Sequence, residues 1–193
     1  MPIGTHPSVT IRLRDSETIR VRPVTSTDRD QLARGFLGLS EASRYQRFFT
    51  PLTKLSGQQL AYLTDLDHID HFAWGIESED GDGVAIARYV KTGPAIAEAA
   101  FTVADNYQGL GLGWTLMQAL ALVADHRKFK QFEMTMLADN GAMAHLARKA
   151  GARFEAPIDG VMRAELDITP SIWVGLAEAG SLIGLATDAA QRA

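Results

Sequence analysis

The sequence contains no cysteine and no long apolar run. Without cysteine, disulfide bonds, thiolate zinc sites and a cysteine nucleophile are excluded. No stretch approaches the length of a membrane span, and residues 1–8 have neither the apolar run nor the positive region of a signal peptide. These absences predict a cytoplasmic protein that does not bind membranes.

Neither sign of charge is in large excess. The 19 basic and 23 acidic residues leave a net charge of −4, which gives no electrostatic argument for binding nucleic acid. A length of 193 residues and an apolar fraction of 46% suit a single domain with a full core. No Pro/Ser-rich linker, internal repeat or low-complexity tract divides the chain.

The most informative segment is a strand, a glycine-rich loop and a helix in succession. Residues 95–103 predict the strand, and residues 108–113 (QGLGLG) place glycine at every second position. Glycine has no Cβ, so the chain can turn sharply there and a ligand can approach the backbone. The predicted helix, which runs to His126, begins with free N–H groups and the positive end of its dipole. Such a terminus favours phosphate binding.

The glycine loop has other interpretations. A plain turn between a strand and a helix can have the same glycine content. A P-loop is disfavoured because no Gly-Lys-Ser/Thr follows. A dinucleotide-binding unit has an acid about 20 residues further on. Glu133 lies at that distance, but it begins a predicted strand, and no second glycine-rich unit is present.

Upstream of this segment, the sequence predicts a hairpin, three helices and two strands. Residues 9–13 and 18–24 form the hairpin around residues 15–17. The helices begin at Ser26 or Thr27, at Ser40 or Ser43, and at Ser56, each of which is a good N-cap. Strands follow over residues 72–77 and 84–90, joined by the acidic glycine turn 79–83. A solvated face, with a substrate-facing role as the alternative, is predicted for the alternating arginines of the hairpin, namely Arg12, Arg14, Arg20 and Arg22.

Two segments of this region allow both a structural and a functional interpretation. Phe48 and Phe49 are predicted core residues, whereas the adjacent Arg47 either pairs with an acid or contacts a substrate. Acids and histidines alternate over residues 65–71, but the spacing of an H-E-x-x-H site is absent. A polar loop is therefore predicted there rather than a metal site, and no metal is expected in the protein.

Downstream, residues 131–137 predict a strand, and Asp139 or Asn140 caps a helix that ends at Gly151. Residues 153–155 and 161–166 predict a final hairpin. Thr169 and Pro170 suit the N-cap and first residue of a last helix, which carries an apolar stripe. This helix either packs on its own domain or contacts a partner, for example in a homodimer.

Three segments together resemble the GCN5-related N-acetyltransferase (GNAT) family. Gln108-x-x-Gly111-x-Gly113 is similar to the family's Q/R-x-x-G-x-G/A signature, and residues 97–103 resemble its fourth strand. Residues 140–151 resemble its later N-x-x-A/M-x-x-L-Y-x-K-x-G-F segment, and the resemblance extends over residues 18–166. It implies a mixed α/β (α+β) fold in which helices flank a mostly antiparallel sheet. The implied division is a GNAT domain at residues 1–167 and an extra helical extension at residues 168–193.

The resemblance also implies how acetyl-CoA is bound. Backbone groups of Phe101, Thr102 and Val103 would pair with the pantetheine arm, and the N–H of Val103 would donate to the thioester oxygen. Asn140 would contact the pantetheine region, although it could also be a simple helix cap. The loop amides and the start of the next helix would hold the pyrophosphate, through Gln108, Gly109, Leu110, Gly111, Leu112, Gly113 and Thr115.

Glu98 is the general base that the resemblance implies, because the family often holds a catalytic glutamate on this strand. The acceptor amine is mostly ammonium near neutral pH and must lose a proton before it attacks. Apolar neighbours on the strand are expected to desolvate the carboxylate, and the alternative is a glutamate on an exposed strand face. Many members have a tyrosine general acid in the later helix, but Ala147 occupies that position here, and His145 lies at a different helical angle.

Within the family, two features are most similar to the catalytic domain of bacterial Pat-type protein lysine acetyltransferases. They are Ser40-x-x-Ser43-x-x-x-Arg47-Phe48-Phe49 and the pair Ala97-Glu98. The resemblance therefore implies acetyl-CoA as cosubstrate and a protein lysine as acceptor. A small-molecule amine is the second acceptor class, and a non-catalytic CoA-binding module is an alternative that Ala147 favours.

Overall fold

A computed structural model describes residues 7–12 and 18–193 of the chain. The described residues form eight strands and six α-helices. In chain order they are β1 Val9–Arg12, β2 Thr18–Pro23, α1 Arg29–Gly38, α2 Glu41–Phe48, α3 Gly57–Thr64, β3 His71–Glu77, β4 Gly83–Lys91, β5 Ile96–Val103, α4 Leu112–His126, β6 Gln131–Leu137, α5 Gly141–Ala150, β7 Arg153–Phe154, β8 Val161–Asp167 and α6 Ala179–Arg192.

All eight strands belong to one sheet with the order β1-β2-β3-β4-β5-β6-β8-β7. Neighbouring strands are antiparallel except β5 and β6, which run parallel. The predicted fold class, a mixed and mostly antiparallel sheet flanked by helices, is confirmed. The strands of the first hairpin pair as predicted, while residues 13–17, which include the predicted turn at residues 15–17, lie outside the described residues.

The core lies between the sheet and α4. Side chains of a strand alternate between faces, so that Ala87 and Tyr89 of β4 point to the face that α4 covers, and both are buried. On α4, Leu116 and Leu120 are completely buried against the strands β3, β4 and β5. The opposite face of the sheet is covered by α1, α2 and α3, and this is the side on which Arg88 lies.

Arg22 corrects the prediction that the hairpin arginines form a solvated face. Its side chain is buried because β2 lies inside the sheet and the turn before α1 covers it. The guanidinium donates to Asp28 at 2.7 Å and to Glu77 at 2.6 Å. Burial lowers the pKa of Arg22, but the hydrogen bonds to Asp28 and Glu77 outweigh it and raise the pKa. Arg20 stays partly exposed, and Arg14 lies outside the described residues.

Phe49 corrects a second prediction from the sequence. Phe48 packs edge-on against Phe36 of α1, with ring centroids 5.5 Å apart, as a core residue should. Phe49, however, is exposed, because it follows the last turn of α2 with a left-handed backbone and its side chain points outward. Only one of the two phenylalanines therefore belongs to the core.

The last helix begins at Ala179, and the prediction that it opens at Thr169 and Pro170 is wrong. Pro170–Ile172 forms a single 3-10 turn, and the chain then bends at Gly175, where φ is 85°. Helix α6 packs its apolar stripe on α4, and its Leu182 is completely buried. The division of the chain at residue 167 stays a prediction. Among residues 7–12 and 18–193, no helix is long and apolar enough to cross a bilayer.

Candidate active site

The strands β5 and β6 separate near the middle of the sheet. Their pairing ends at Glu98 opposite Glu133, although β5 continues to Val103 and stays paired with β4 to its end. Successive N–H groups of a strand point to opposite edges. The N–H of Ala104 donates to Val84 of β4, so the N–H groups of Phe101 and Val103 point into the gap. The gap therefore offers strand backbone to an extended ligand.

The glycine-rich loop lies at the end of this gap and leads into α4. Gly109 and Gly111 have φ of 81° and 90°, which L side chains rarely adopt, and Gly111 is the N-cap of α4. A Cβ built at either glycine would meet nothing within 4 Å, so the space above the loop is open. Since the first N–H groups of a helix have no intrahelical acceptor, this end of α4 is suited to hold an anion.

One groove of about 660 Å³ joins the gap to the start of α4. A volume of this size suits a small-molecule site. Leu110 and Thr115 do not line the groove, and the Thr115 hydroxyl donates to the carbonyl of Gly111 instead. The predicted cofactor residues that do line it are Phe101, Thr102, Val103, Gln108, Gly109, Gly111, Leu112, Gly113 and Asn140.

Asn140 has an observed structural role. Its side-chain oxygen accepts a hydrogen bond from the N–H of Met143 at 3.0 Å, which caps α5. The side-chain amide of Asn140 is still available at the groove wall. Its contact with the pantetheine arm stays a prediction.

Helix α2 forms a wall of the groove that the sequence analysis did not assign to the cofactor. Asp105, just after β5, accepts hydrogen bonds from the Ser40 N–H at 2.9 Å and from the Ser43 hydroxyl at 2.7 Å. Partial burial raises the pKa of Asp105, but these bonds outweigh it and lower the pKa. They fix the start of α2 against the loop, and Gln46 and Arg47 on α2 then line the groove. The Ser-x-x-Ser spacing was the sequence signal for this anchor.

The groove also contains a cationic residue that the sequence analysis did not assign to the cofactor. The ammonium of Lys149 lies 4.1 Å from the centre of the Trp114 ring, which places a positive charge beside the first turn of α4. Cation–π contact with tryptophan holds a lysine in place without neutralising it. Lys149 can therefore attract a phosphate group to this end of the groove.

Glu98 lies at the point where β5 and β6 separate. Its side chain is exposed, so the predicted desolvation by apolar neighbours is wrong. Ala97 and Ala99 point to the opposite face of the sheet, and the half-buried Ile96 and Ala100 on the same face do not cover it. On the neighbouring strand β4, Val90 lies opposite Glu98, and Arg88 lies opposite Ala100. Glu98 thus shares a sheet face with Arg88.

No tyrosine occupies the α5 position of the usual general acid. Ala147 occupies this position, is completely buried and does not line the groove. His145, which the sequence analysis set aside, is exposed and lines the groove.

The acidic and histidine-rich loop at residues 65–71 is built around Asp67. Its carboxylate accepts hydrogen bonds from the N–H groups of Ile69, Asp70 and His71 at 2.8 to 3.0 Å. His71 packs on the Tyr62 ring with centroids 5.1 Å apart. Within the described ranges, no three His, Asp or Glu side chains converge as ligands of a metal.

Comparison with known proteins agrees with this geometry. The family model for the acetyltransferase (GNAT) domain matches residues 18–153. Acetyltransferase Pat of Mycolicibacterium smegmatis is 34% identical over 165 residues, which are 84% of this chain and 49% of that protein. The chain therefore spans about half the length of this relative.

Solved structures have the same fold. The GNAT domain of S. lividans PAT superposes with a TM-score of 0.79 at 31% identity, over 86% of this chain and 99% of that domain. A spermidine N-acetyltransferase from Vibrio cholerae, solved with CoA and spermine, has a TM-score of 0.60 at 18% identity, over 81% of this chain and 98% of that one, and shows the fold alone. The likeness to Pat proteins that the sequence motifs predicted is confirmed. This chain belongs to the GNAT family of acetyltransferases.

Proposed function

We propose that the chain transfers an acetyl group from acetyl-CoA directly to the side-chain amine of a protein lysine. The observation that carries this proposal is the gap between β5 and β6, which leads into the glycine loop at the start of α4. Acetyl-CoA has an extended pantetheine arm joined to a diphosphate, which matches such a groove in shape and in charge. The lysine acceptor is supported by the similarity to Pat proteins.

The chain's own residues would bind the donor in two places. The N–H groups of Phe101 and Val103 point into the gap, where they can donate to the pantetheine amides and to the thioester oxygen. An N–H donor at that oxygen stabilises the negative charge that develops during attack. At the other end, the amides of residues 108, 109 and 111–113, which line the groove, and the charge of Lys149 would hold the diphosphate.

Glu98 would accept the proton of the acceptor ammonium. Its exposed position suits a large acceptor, because the lysine of another protein can reach it from solvent. A positioned general base contributes about 10²- to 10⁴-fold to a rate. A thiol has a pKa of about 8.5, so the CoA thiolate can leave without a protein acid and take its proton from water. The lack of a tyrosine at Ala147 is then no obstacle.

A non-catalytic CoA-binding module is the second candidate. The observation that favours it is the burial of Ala147 where many family members have a general acid. The two candidates differ in one measurable respect. An enzyme releases CoA when acetyl-CoA and an amine are both present, and a binding module does not.

The test of the proposal is the substitution Glu98→Gln. We expect it to lower the rate of CoA release with a lysine-bearing protein by about 10²-fold or more, while calorimetry gives an unchanged acetyl-CoA affinity. Glu133→Gln is the matched control, because Glu133 lies directly opposite Glu98 on β6 and is also exposed.

Several outcomes would count against this assignment. If Glu98→Gln turned over at the wild-type rate, Glu98 would not be the base. If the wild type acetylated small amines but none of the proteins in an acceptor panel, the acceptor would be a small molecule and not a protein lysine. No CoA release by the wild type with any amine would favour the binding module.

A further inference from the structure

Arg88 is a buried arginine whose guanidinium is only partly satisfied. Its side chain is 4% exposed and comes from β4, on the same sheet face as Glu98. One amino group donates to the carbonyl of Leu63 at 2.7 Å, and the other, Nη1, has no hydrogen-bond partner. A buried donor without an acceptor is costly, and such groups in native proteins call for an explanation.

A second arginine, Arg47 of α2, lies near Arg88. Within residues 7–12 and 18–193, no carboxylate oxygen lies within 4.0 Å of either guanidinium. Burial, and then the neighbouring charge of Arg47, lower the pKa of Arg88 to about 9. Burial likewise lowers the pKa of Arg47, and the charge of Glu98 partly offsets this. Neither Arg47 nor Arg88 is thus ion-paired within the described part of the chain, because the two carboxylates that line the same cavity, Asp28 and Glu77, are paired with Arg22.

Arg22 shows how this fold treats a buried arginine that has only a structural role. It lines the same cavity as Arg47 and Arg88, yet it is ion-paired with Asp28 and Glu77. Among the described residues, the buried Arg22 is therefore paired with two carboxylates, whereas the buried Arg88 and the half-buried Arg47 have none.

The cavity itself connects these arginines to the acyl-transfer position. It has a volume of about 110 Å³ and lies between the sheet and the helices α1 and α2. Arg47 and Thr102 line both this cavity and the cofactor groove. Ala100, opposite Arg88 on β5, also lines the cavity, and its small side chain leaves room beside the strand.

We propose that Arg47 and Arg88 form a carboxylate subsite beside the acyl-transfer position. The planar guanidinium matches a carboxylate in geometry and binds it through paired hydrogen bonds. The small cavity with its many apolar walls suits a carboxylate better than a bulky phosphate. This inference rests on the proposed function, and the carboxylate has two sources: the far end of a dicarboxylic acyl group on CoA, or an acidic side chain next to the acceptor lysine.

Calorimetry tests the first source with succinyl-CoA and butyryl-CoA, which have acyl chains of equal length and differ at the terminal carboxylate. If the acyl group supplies it, we expect the wild type to bind succinyl-CoA at least about tenfold more tightly. We expect Arg88→Met to lose this preference, and Arg47→Met to reduce it.

Acetylation of two lysine peptides tests the second source, one with glutamate and one with glutamine beside the lysine. If the acceptor supplies the carboxylate, the wild type should have a KM at least about tenfold lower for the glutamate peptide. Arg88→Met should equalise the two KM values. The absence of any Arg88-dependent preference in both arms would overturn the subsite. Acetyl-CoA binding and turnover by the wild type, measured alongside, test the proposed function separately.

A thermal melt provides a readout of folding, with Arg22→Met as the matched control. Arg22→Met leaves two buried carboxylates without their cation and should lower Tm, because removing one partner of a buried ion pair is strongly destabilising. Arg88→Met removes a charge that has no counter-ion, at the cost of one hydrogen bond to the Leu63 carbonyl, so we expect a clearly smaller loss of Tm than for Arg22→Met. A loss of Tm as large as that of Arg22→Met would assign Arg88 to the fold and would overturn the subsite.

Discussion

At the scale of single residues, the neighbouring charges decide which arginines are structural on the face of the sheet that α1, α2 and α3 cover. Arg22 is neutralised by Asp28 and Glu77, and the three side chains tie β2 to β3 and to the turn before α1. Such a buried cluster is strongly destabilised when one member is lost. Arg88 has no such partner in the described chain, so its charge is available to a ligand.

The lowered pKa of His71 predicts how the stability of the protein depends on pH. Burial, and then the nearby charge of Arg88, lower the pKa of His71 from 6.5 to about 4, and its Nε2 atom has no hydrogen-bond partner. The unfolded chain therefore binds a proton near pH 6.5, whereas the folded protein does so only near pH 4. Stability from this group is present above pH 6.5 and is lost as the pH falls through this window.

The substitution His71→Gln should remove this dependence. Between pH 7 and pH 4.5, we expect the wild type to lose about 1 to 3 kcal/mol more free energy of unfolding than the variant. Urea unfolding at the two pH values measures the difference, with His126→Gln as a control because His126 is exposed. An equal loss in wild type and His71→Gln would show that His71 does not cause it.

At the scale of elements, the site depends on how β5, the glycine loop and α4 follow one another. Gly111 ends the loop and caps α4 with a left-handed backbone, and the space where its Cβ would lie is open. The diphosphate of the donor would occupy this space in the proposed function. Substitutions at Gly111 can therefore distinguish two effects of an added side chain: strain in the backbone and contact with the ligand.

Gly111→Glu should weaken acetyl-CoA binding by at least about tenfold, or about 1.4 kcal/mol, because its carboxylate would repel the diphosphate. Gly111→Asn is the matched control: asparagine tolerates a positive φ better than most residues and adds no charge. Calorimetry should give a much smaller loss for Gly111→Asn than for Gly111→Glu. Wild-type affinity in the glutamate variant would place the diphosphate elsewhere.

At the scale of the whole molecule, α6 completes the core. Leu182 and Ala186 are fully buried, and α6 contacts both α4 and β2. The carboxyl-terminal helix is therefore packed on the same chain that carries the site. Helix α4 consequently has the sheet on one side and α6 on another, which fixes the terminus that faces the groove.

Leu182→Ala should lower the free energy of unfolding by about 2 to 5 kcal/mol, the usual loss for a buried leucine. Val174→Ala is the control, since Val174 is exposed and should change stability little. The Tm of the wild type at several protein concentrations tests whether α6 also joins two copies. A Tm that rises with concentration would indicate a dimer, and an unchanged stability of Leu182→Ala would contradict the packing.

The sequence by itself determined the local elements and the order in which they occur. The strand β5, the glycine loop and the apolar face of α4 each depend on residues close together in the chain, so the local sequence pattern predicts them. The same is true of the N-caps at Ser40 and Ser56. Motifs of this kind were also sufficient to indicate the family.

Only the tertiary structure decided what each side chain meets. Arg22 pairs with Glu77, 55 residues away. The pairing of β5 with β6 ends at Glu98, opposite Glu133 on a strand that follows α4 in the chain. The exposure of Glu98 and the cavity beside Arg88 likewise depend on distant elements. Burial and ion pairing are properties of groups that meet in space, and periodicity along the chain carries no information about which groups those are.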